Sequence, residues 1–564
     1  MKPPLYAATM GIVIITLALV NHVHAEQTLT RIATMPDGAE VTGLSTTALG
    51  DILLNAQHPG GKNTFRDDAP PALLGYLHGF DAASFTAGSM AVPEEGQRDG
   101  VSVADGQYII LGKAGDALGS GQVLGGVYDV KGDLMYISNA PDFNGFVPTG
   151  ANSALLYTAW EGAGRNGIGA LSRLALNRVD GKWQADHDQS KMVDLSSVDG
   201  GFVLCSGILT PWGTPLLAEE YFFYNTAVWN HPDNHDDDER ASFQDGNDNS
   251  YIKPKNVSDY LGRMSNPYRY GYMIEINQPA SANEQPLKHY ATGRLSHETA
   301  AIMPDMKTVY MSDDDSAAYS DSKYNTASGG VLFKFVARQK GDLSAGTLYA
   351  AKLVQDDEDD AERAGFDVTW IELGSGNNEQ IALWIAEYDT VTVDDYVDGQ
   401  SSYISDEEII AYANGQAADA RAAFLESRRT AAAMGASNEW DKLEGVTAVG
   451  NTVYLSASSL SVTMDKSWGH KHWSSGEMDL HDGGDIALTA ESCGGTYIAR
   501  TGADYDITRI DPYVIGKTTA DGRCDEDRPA NPDNILALSD GTLLIGEDAG
   551  AKKHSVDMLW MVKQ

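Results

Sequence analysis

Short apolar runs recur along almost the whole chain. Most are four to nine residues long, and many are separated by Gly, Asn or Asp turns. They occur at Ala72–Phe80, Tyr108–Leu111, Leu134–Ile137, Ala154–Ala159, Ala170–Leu176, Leu216–Ala218 and Tyr270–Ile276. They continue at Thr308–Met311, Gly330–Val336, Thr347–Leu353, Ile381–Ala386, Thr452–Ser456, Thr496–Arg500, Thr508–Tyr513, Asn534–Leu538, Thr542–Gly546 and Met558–Val562. Compact or alternating runs of this length, bounded by turn residues, predict β-strands. Lys131-Gly132-Asp133, Gly450-Asn451 and Asp540-Gly541 predict tight turns between them. The expected fold class is all-β.

Three stretches share one form: ETAAIMPDMKTVYMSDDD, EGVTAVGNTVYLSAS and PDNILALSDGTLLIGEDAG. An acidic residue opens each, and a hairpin follows. Weak repetition of this kind predicts a β-propeller, with a large β-sandwich as the competing architecture. Dispersed acidic openers favour the propeller, because blade starts converge on one central face. One segment breaks the pattern. Ser405 to Met434 is Ala-rich, Ser405 with Glu408 makes a capping box, and Gly435 can close the end. It predicts a helical insertion of about 405–434 over one rim, with Arg421, Arg428 and Arg429 as surface partners of acids.

The first 25 residues read as a secretory signal peptide: Lys2, an apolar stretch from Leu5 to Val20, and a Val23-His24-Ala25 cleavage pattern. Residues 26–564 then form a single domain, periplasmic or extracellular, with no membrane segment after cleavage. The formal net charge of −40 argues against nucleic acid and anionic membranes as partners. It fits an acidic exterior, or carboxylates that hold hard cations. The acidic runs at His231–Glu239 and Asp356–Glu362 read as solvated or loosely calcium-binding loops, and Asp245–Asn249 lacks the full calcium-loop pattern. Of three cysteines, Cys493 and Cys524 could pair in an oxidising compartment, leaving Cys205 alone. A lone thiol in a secreted protein is either a small buried hydrophobe or a metal ligand.

Cys205 opens the densest stretch of chemistry, LCSGILTPWGTPLLAEEY, Leu204 to Tyr221. Pro211 and Gly213 make a turn, a short strand follows, and Glu219 and Glu220 leave it. Two adjacent carboxylates at the end of a buried strand are costly unless a cation meets them. Further acids sit at strand starts and ends: Glu161, Glu298, Glu444, Asp533 and Glu547. One thiolate with many carboxylates suits mixed transition and alkaline-earth metals.

The CSGxxTPWGTxLxxEE unit resembles the signature of the PhoX-type alkaline phosphatases. The GRLSHETA block with VYMSDD, the Lys442-Leu443-Glu444-Gly445 block and the Pro532-Asp533-Asn534 block are similar to others of that family. The similarity runs from about Ala151 to the C-terminal end; no motif marks the first hundred residues. The resemblance implies a six-bladed propeller and a secreted, monomeric enzyme. Its implied reaction is hydrolysis of small-molecule phosphate monoesters, by an oxygen nucleophile activated at an Fe(III) and Ca2+ centre. By carry-over Cys205 bridges two irons. Glu298 and Glu444 are the metal glutamates, and Glu219, Glu220, Asp533, Glu547 and Glu161 are further ligands. Cys205, Glu298, Glu444 and Lys442 form the catalytic set. Lys442 stands where the family has Arg, keeping the positive charge for phosphate but losing a bidentate fork. Arg294 is either a second positive charge or a structural partner. Two other readings are a calcium-dependent, lactonase-like propeller hydrolase using Glu298, Asp533 and Asn534, and a non-catalytic calcium-binding propeller.

Overall fold

The computed structural model describes residues 27–564, except 67–68, 163–166, 221–225, 237–253, 315–328, 401 and 468–483. The expected signal peptide, the Asp245–Asn249 stretch and the end of the His231–Glu239 run lie outside the described residues.

The chain is mostly β, folded into antiparallel sheets whose strands follow one another in sequence order. Four sheet units begin with Glu40–Thr46, Pro141–Gly150, Leu204–Leu209 and Pro532–Ala537. Two more, beginning with His297–Ile302 and Leu443–Val449, join at their outer edges into one nine-stranded sheet. These six starting strands touch in cyclic order, each packing on the next and Pro532–Ala537 on Glu40–Thr46. The sheet that begins with Pro532–Ala537 is completed by Thr28–Thr34, which pairs antiparallel with Met558–Lys563.

Hydrophobic cores fill the spaces between neighbouring sheets. Leu74, Tyr76, Leu156, Trp160 and Leu174 make one such layer, and Ile32, Val41, Leu54, Leu544 and Leu559 another. Burying each such side chain is worth about 1.5–3 kcal/mol.

Most expected strands are present with boundaries within a few residues. Ile381–Ala386 is not a strand: it ends the helix Asn378–Ala386, whose N-cap Asn377 accepts a hydrogen bond from the Gln380 N–H. A short apolar run does not distinguish the two states, and the cap decides it here. The insertion is helical but not one helix. It divides into Asp406–Ala413, Arg421–Leu425 and Ser427–Ala433. The Ser405–Glu408 capping box starts the first, and Gly415, at φ +69°, follows its end. Arg428 and Arg429 are buried, not surface residues: they pair with Asp313 and with Asp406 and Glu426. The Asp356–Glu362 run is held by ion pairs from Arg509, Lys466 and Arg528 rather than arranged around a cation. Cys493 and Cys524 form a disulfide, and Cys205 is a free, buried thiol.

Candidate metal centre and active site

All six starting strands carry the same irregularity. Each slips by one residue against its neighbour: between Thr42 and Ser45, Pro141 and Asn144, Leu204 and Gly207, His297 and Ala300, Leu443 and Val446, and Pro532 and Ile535. Three residues on the starting strand span two on its partner, the signature of a β-bulge, which bends a strand and re-aims side chains. In five of the six the first residue inside the slip is a metal-ligand type: Asp142, Cys205, Glu298, Glu444 and Asp533. The sixth is Gly43, at φ +64°, where a Cβ would stand 2.3 Å from Asn55 Nδ2 and 2.7 Å from the Asp142 carbonyl oxygen. That sheet supplies Glu40 instead, from the start of its strand.

A second position recurs. The residue just after the second strand of each unit is His58, Glu161, Glu220, Asp314, Ser458 or Asp548. The two sets converge on one cavity of about 160 Å³, lined by Glu40, His58, Asp142, Glu161, Cys205, Glu220, Glu298, Asp314, Lys442, Glu444, Asp533 and Asp548, with Gln57 and Asn63. Ser458 sits behind it, donating from Oγ to Glu444 Oε1 at 2.9 Å. The backbone is strained two residues before three of the bulge ligands. Val203, Lys442 and Asn531 hold φ of +43°, +56° and +43°, a region non-glycine residues rarely enter except at functional sites.

Inside the cavity Cys205 Sγ lies 3.2 Å from Asp142 Oδ2, 3.1 Å from Glu161 Oε1 and 3.2 Å from Glu298 Oε1. Lys442 Nζ lies 3.0 Å from Asp314 Oδ2 and 2.7 Å from Glu444 Oε1. Its side chain keeps 33% exposure, whereas the Asp314 and Glu444 side chains it meets are buried. Asn534 Nδ2 donates to Asp142 Oδ1 at 3.2 Å, and the Gly43 N–H donates to Asn534 Oδ1 at 3.1 Å. His58 Nε2 meets Glu40 Oε1.

So many acids in one buried space disfavour their own ionisation. Burial first, then Asp142, lifts Glu161 to about 7; burial, then Asp314, lifts Glu444 to about 8 against the pull of Lys442. Burial and neighbouring carboxylates also raise Glu40, Glu220, Glu298 and Asp533, and the Cys205 thiol. For Lys442, burial works against the charge, but Asp314 and Glu444 outweigh it and raise the ammonium. The oxygens Asp314 Oδ1 and Gln57 Oε1 are buried and accept no hydrogen bond among the described residues.

This donor set fits metal cations. Four overlapping groups each bring their ligand atoms within 4.8 Å of one another: Asp142–Cys205–Glu298, Glu161–Cys205–Glu220, Glu298–Glu444–Asp533 and Glu40–Asp533–Asp548. Of the residues expected from sequence, Cys205, Glu161, Glu220, Glu298, Lys442, Glu444 and Asp533 come together here. Glu219 and Glu547 do not, for a clear reason: each carboxylate is consumed inside the fold. Glu219 accepts from the Phe202, Gly271 and Tyr272 N–H groups and pairs with Lys288 at 2.9 Å. Glu547 accepts from the Ala530 and Met558 N–H groups, Trp560 Nε1 and His554. Arg294 does not line the cavity; its Nε donates to the Tyr270 carbonyl and it stacks over Tyr268. Sequence reasoning missed Glu40, His58, Asp142, Asp314 and Asp548. Asp548 directly follows the expected Glu547, and Asp314 stood in a block already noticed.

The family description Alkaline phosphatase PhoX matches residues 182–562. The chain belongs to the PhoX alkaline phosphatase family. It is therefore a phosphatase, of a metal-dependent family. The match begins at the last strand of the second sheet unit, Lys182–Met192, so four charged cavity residues, Glu40, His58, Asp142 and Glu161, come from chain outside it. No curated protein sequence matches the chain. Among solved structures it is similar to a calcium structure of a Trichoderma reesei Carbohydrate-Active Enzymes Family AA12 protein, at 10% identity and TM-score 0.37, covering 96% of each chain. It is also similar to a Thermus thermophilus structure described as a glucose dehydrogenase, at 7% identity and TM-score 0.35, covering 95% of this chain and 100% of that one. A streptogramin B lyase aligns at 6% identity and TM-score 0.29, over 95% and 97%. Among the described residues no helix is long and apolar enough to cross a membrane.

Proposed function

We propose that this PhoX chain is a secreted phosphomonoesterase on a six-bladed β-propeller with a helical insertion, acting as a monomer with iron and calcium in its central cavity. The cyclic contact of the six starting strands supports the six-bladed reading. The observation that carries the chemistry is the Cys205 thiol, set 3.1–3.2 Å from three carboxylates contributed by three different strand ends. A thiol among acids is a poor arrangement for a hydrophobic filler and a good one for a soft donor beside hard ones.

In this reading Cys205, Asp142, Glu161, Glu220 and Glu298 would hold the iron, and Glu444, Asp533, Glu40 and Asp548 would hold calcium. When bound, the metals supply positive charge opposite the phosphoryl oxygens and activate an oxygen nucleophile. The chain's own residues do the rest. Asp314 and Glu444 fix Lys442 from two sides and keep its amine protonated, leaving a third N–H for a phosphate oxygen. Asn534 holds one oxygen of Asp142, so that the other faces Cys205. Burial of the cavity floor excludes water and strengthens each of these charges. Glu219 and Glu547 are left out of the ligand set. Substrates are small phosphate esters that reach Lys442 at the mouth.

The test is hydrolysis of a chromogenic phosphate monoester at alkaline pH with calcium present, with metal content measured on the same samples. Cys205→Ala is expected to lose iron and at least about a hundredfold in activity, more than loss of an outer-shell partner costs. A Cys205→Ser variant with full phosphatase activity would overturn the thiolate centre and favour a calcium-only hydrolase built on Glu298, Asp533 and Asn534.

A further inference from the structure

A second cavity, about 380 Å³, runs along the same six strands beyond the bulges. Its polar lining includes Ser45, Asn144, Ser206, Thr299, Thr447 and Asn534, at least one from each starting strand. Glu298 and Asp533 line both this space and the metal cavity, so the two spaces share a wall made of carboxylates. At its other end lie Thr46 and Leu209, both exposed, the latter by 38%, so the space opens to solvent on the face opposite Lys442. Its lining carries no Lys, Arg or His; its charges are the two acids at the inner end. Ser45 Oγ is buried there and has no hydrogen-bond partner among the described residues.

We propose that this axial cavity is the route by which a divalent cation exchanges between solvent and Glu298 and Asp533. The inference rests on the metal-binding reading of the central cavity and adds a path to it. Hard cations move between oxygen ligands, and each of the six strands brings a hydroxyl or amide side chain to this otherwise largely apolar path above the two carboxylates. An anion such as phosphate meets no positive group on the way and two acids at the end. The metal cavity is the reverse: Lys442 and His58 line it, it is smaller, about 160 Å³, and substrate must use its own opening. The two faces thus divide the traffic, phosphate esters on the Lys442 side and cations through the axis.

The test is calcium exchange rather than catalysis. Protein loaded with calcium-45 is mixed with excess unlabelled calcium, and the label retained is followed by rapid gel filtration. Ser45→Phe and Ala537→Phe each put a ring into the axial space from a different sheet, and Ser45→Ala leaves it open. Both Phe variants are expected to slow exchange at least tenfold, with unchanged calcium content and melting temperature in the loaded state, while Ser45→Ala stays within twofold of the parent. If one Phe variant fails to fold, the other decides. Folded Phe variants with full calcium content and parental exchange rates would overturn the axial route alone. Parent protein that retains no calcium would overturn the route and the metal-binding reading together.

Discussion

Glu219 and Glu220 are neighbours in sequence and opposites in function, and the same contrast recurs at Asp313–Asp314 and Glu547–Asp548. The first acid of each pair ends the second strand of its sheet and points into the fold. There it accepts backbone N–H groups from adjoining turns and meets one cation: Lys288, Arg428 or His554. Asp313, for example, accepts from the Ser296 and Val331 N–H groups, pinning the start of its own unit and the strand beyond. The second acid faces the central cavity, where most of its neighbours are other acids. Side chains alternate faces along a strand, so one step along the chain turns a structural clamp into an acid that faces the cavity. Except for the half-buried Asp548, both kinds are buried; what separates them is whether the fold itself satisfies the charge.

Exchanging the two roles tests that contrast most severely. Glu219→Gln leaves the Lys288 ammonium buried without its partner, and is expected to cost about 3–5 kcal/mol in urea unfolding. Its metal content per folded molecule should equal the parent's. Glu220→Gln should do the reverse: activity falls about a hundredfold, an effect of about 2.7 kcal/mol, and bound metal falls with it, while the stripped protein is no less stable than the parent. Equal stability losses in the two variants would erase the distinction. Asp548→Asn against Glu547→Gln repeats the comparison in another sheet and sharpens it.

The cavity acids also set a pH dependence. In the metal-stripped protein their folded pKa values lie above the unfolded ones, so the native state holds protons that the unfolded chain has released. Stability then falls as pH rises from about 4.5 through about 7 and 8, where Glu161 and Glu444 ionise. Urea midpoints of chelated protein should drop between pH 5 and pH 8.5, and saturating calcium should flatten the curve. A chelated midpoint that climbs over that range would contradict the reading of the cavity as self-repelling. The smallest effect belongs to a clamp. His554 is pushed down by burial, but the Glu547 carboxylate more than offsets this and raises it. The charged pair is complete below the ordinary histidine range, and its stability is lost as pH rises through the raised value. His554→Gln should remove that step, worth about 1–2 kcal/mol, and leave activity at low pH unchanged.

Much of this was readable in the chain. Apolar runs between Gly and Asp turns predict most strands, and the Cys205, Glu298, Glu444 and Asp533 blocks name four of the five acid or thiol residues at the bulges. What escaped has physical causes. The bulges are properties of pairing between two strands, and neither strand's own pattern reveals them. Choosing Glu547 over Asp548 is an error of one register, and register is fixed only when the partner strand is known. Glu40, His58 and Asp142 lie where no motif marks the chain, and only the ring of strands brings them to the cavity. The break in the insertion, by contrast, was written in the sequence: Asn414-Gly415 is an ordinary helix stop.

One pairing sets the order in which this molecule can be finished. Arg31 Nε reaches the Met558 sulfur across 527 positions of sequence, in the sheet that carries Asp533 and Asp548. Contacts so distant along the chain form late, because a long loop must close before they repay its entropy. A chain that has not yet reached its last strands has the Cys205 end of the cavity but lacks Asp533 and Asp548 from the wall opposite. Completion of the cavity is therefore a late event in the life of the chain, and on the metal-binding proposal its occupancy would report that the ring has closed.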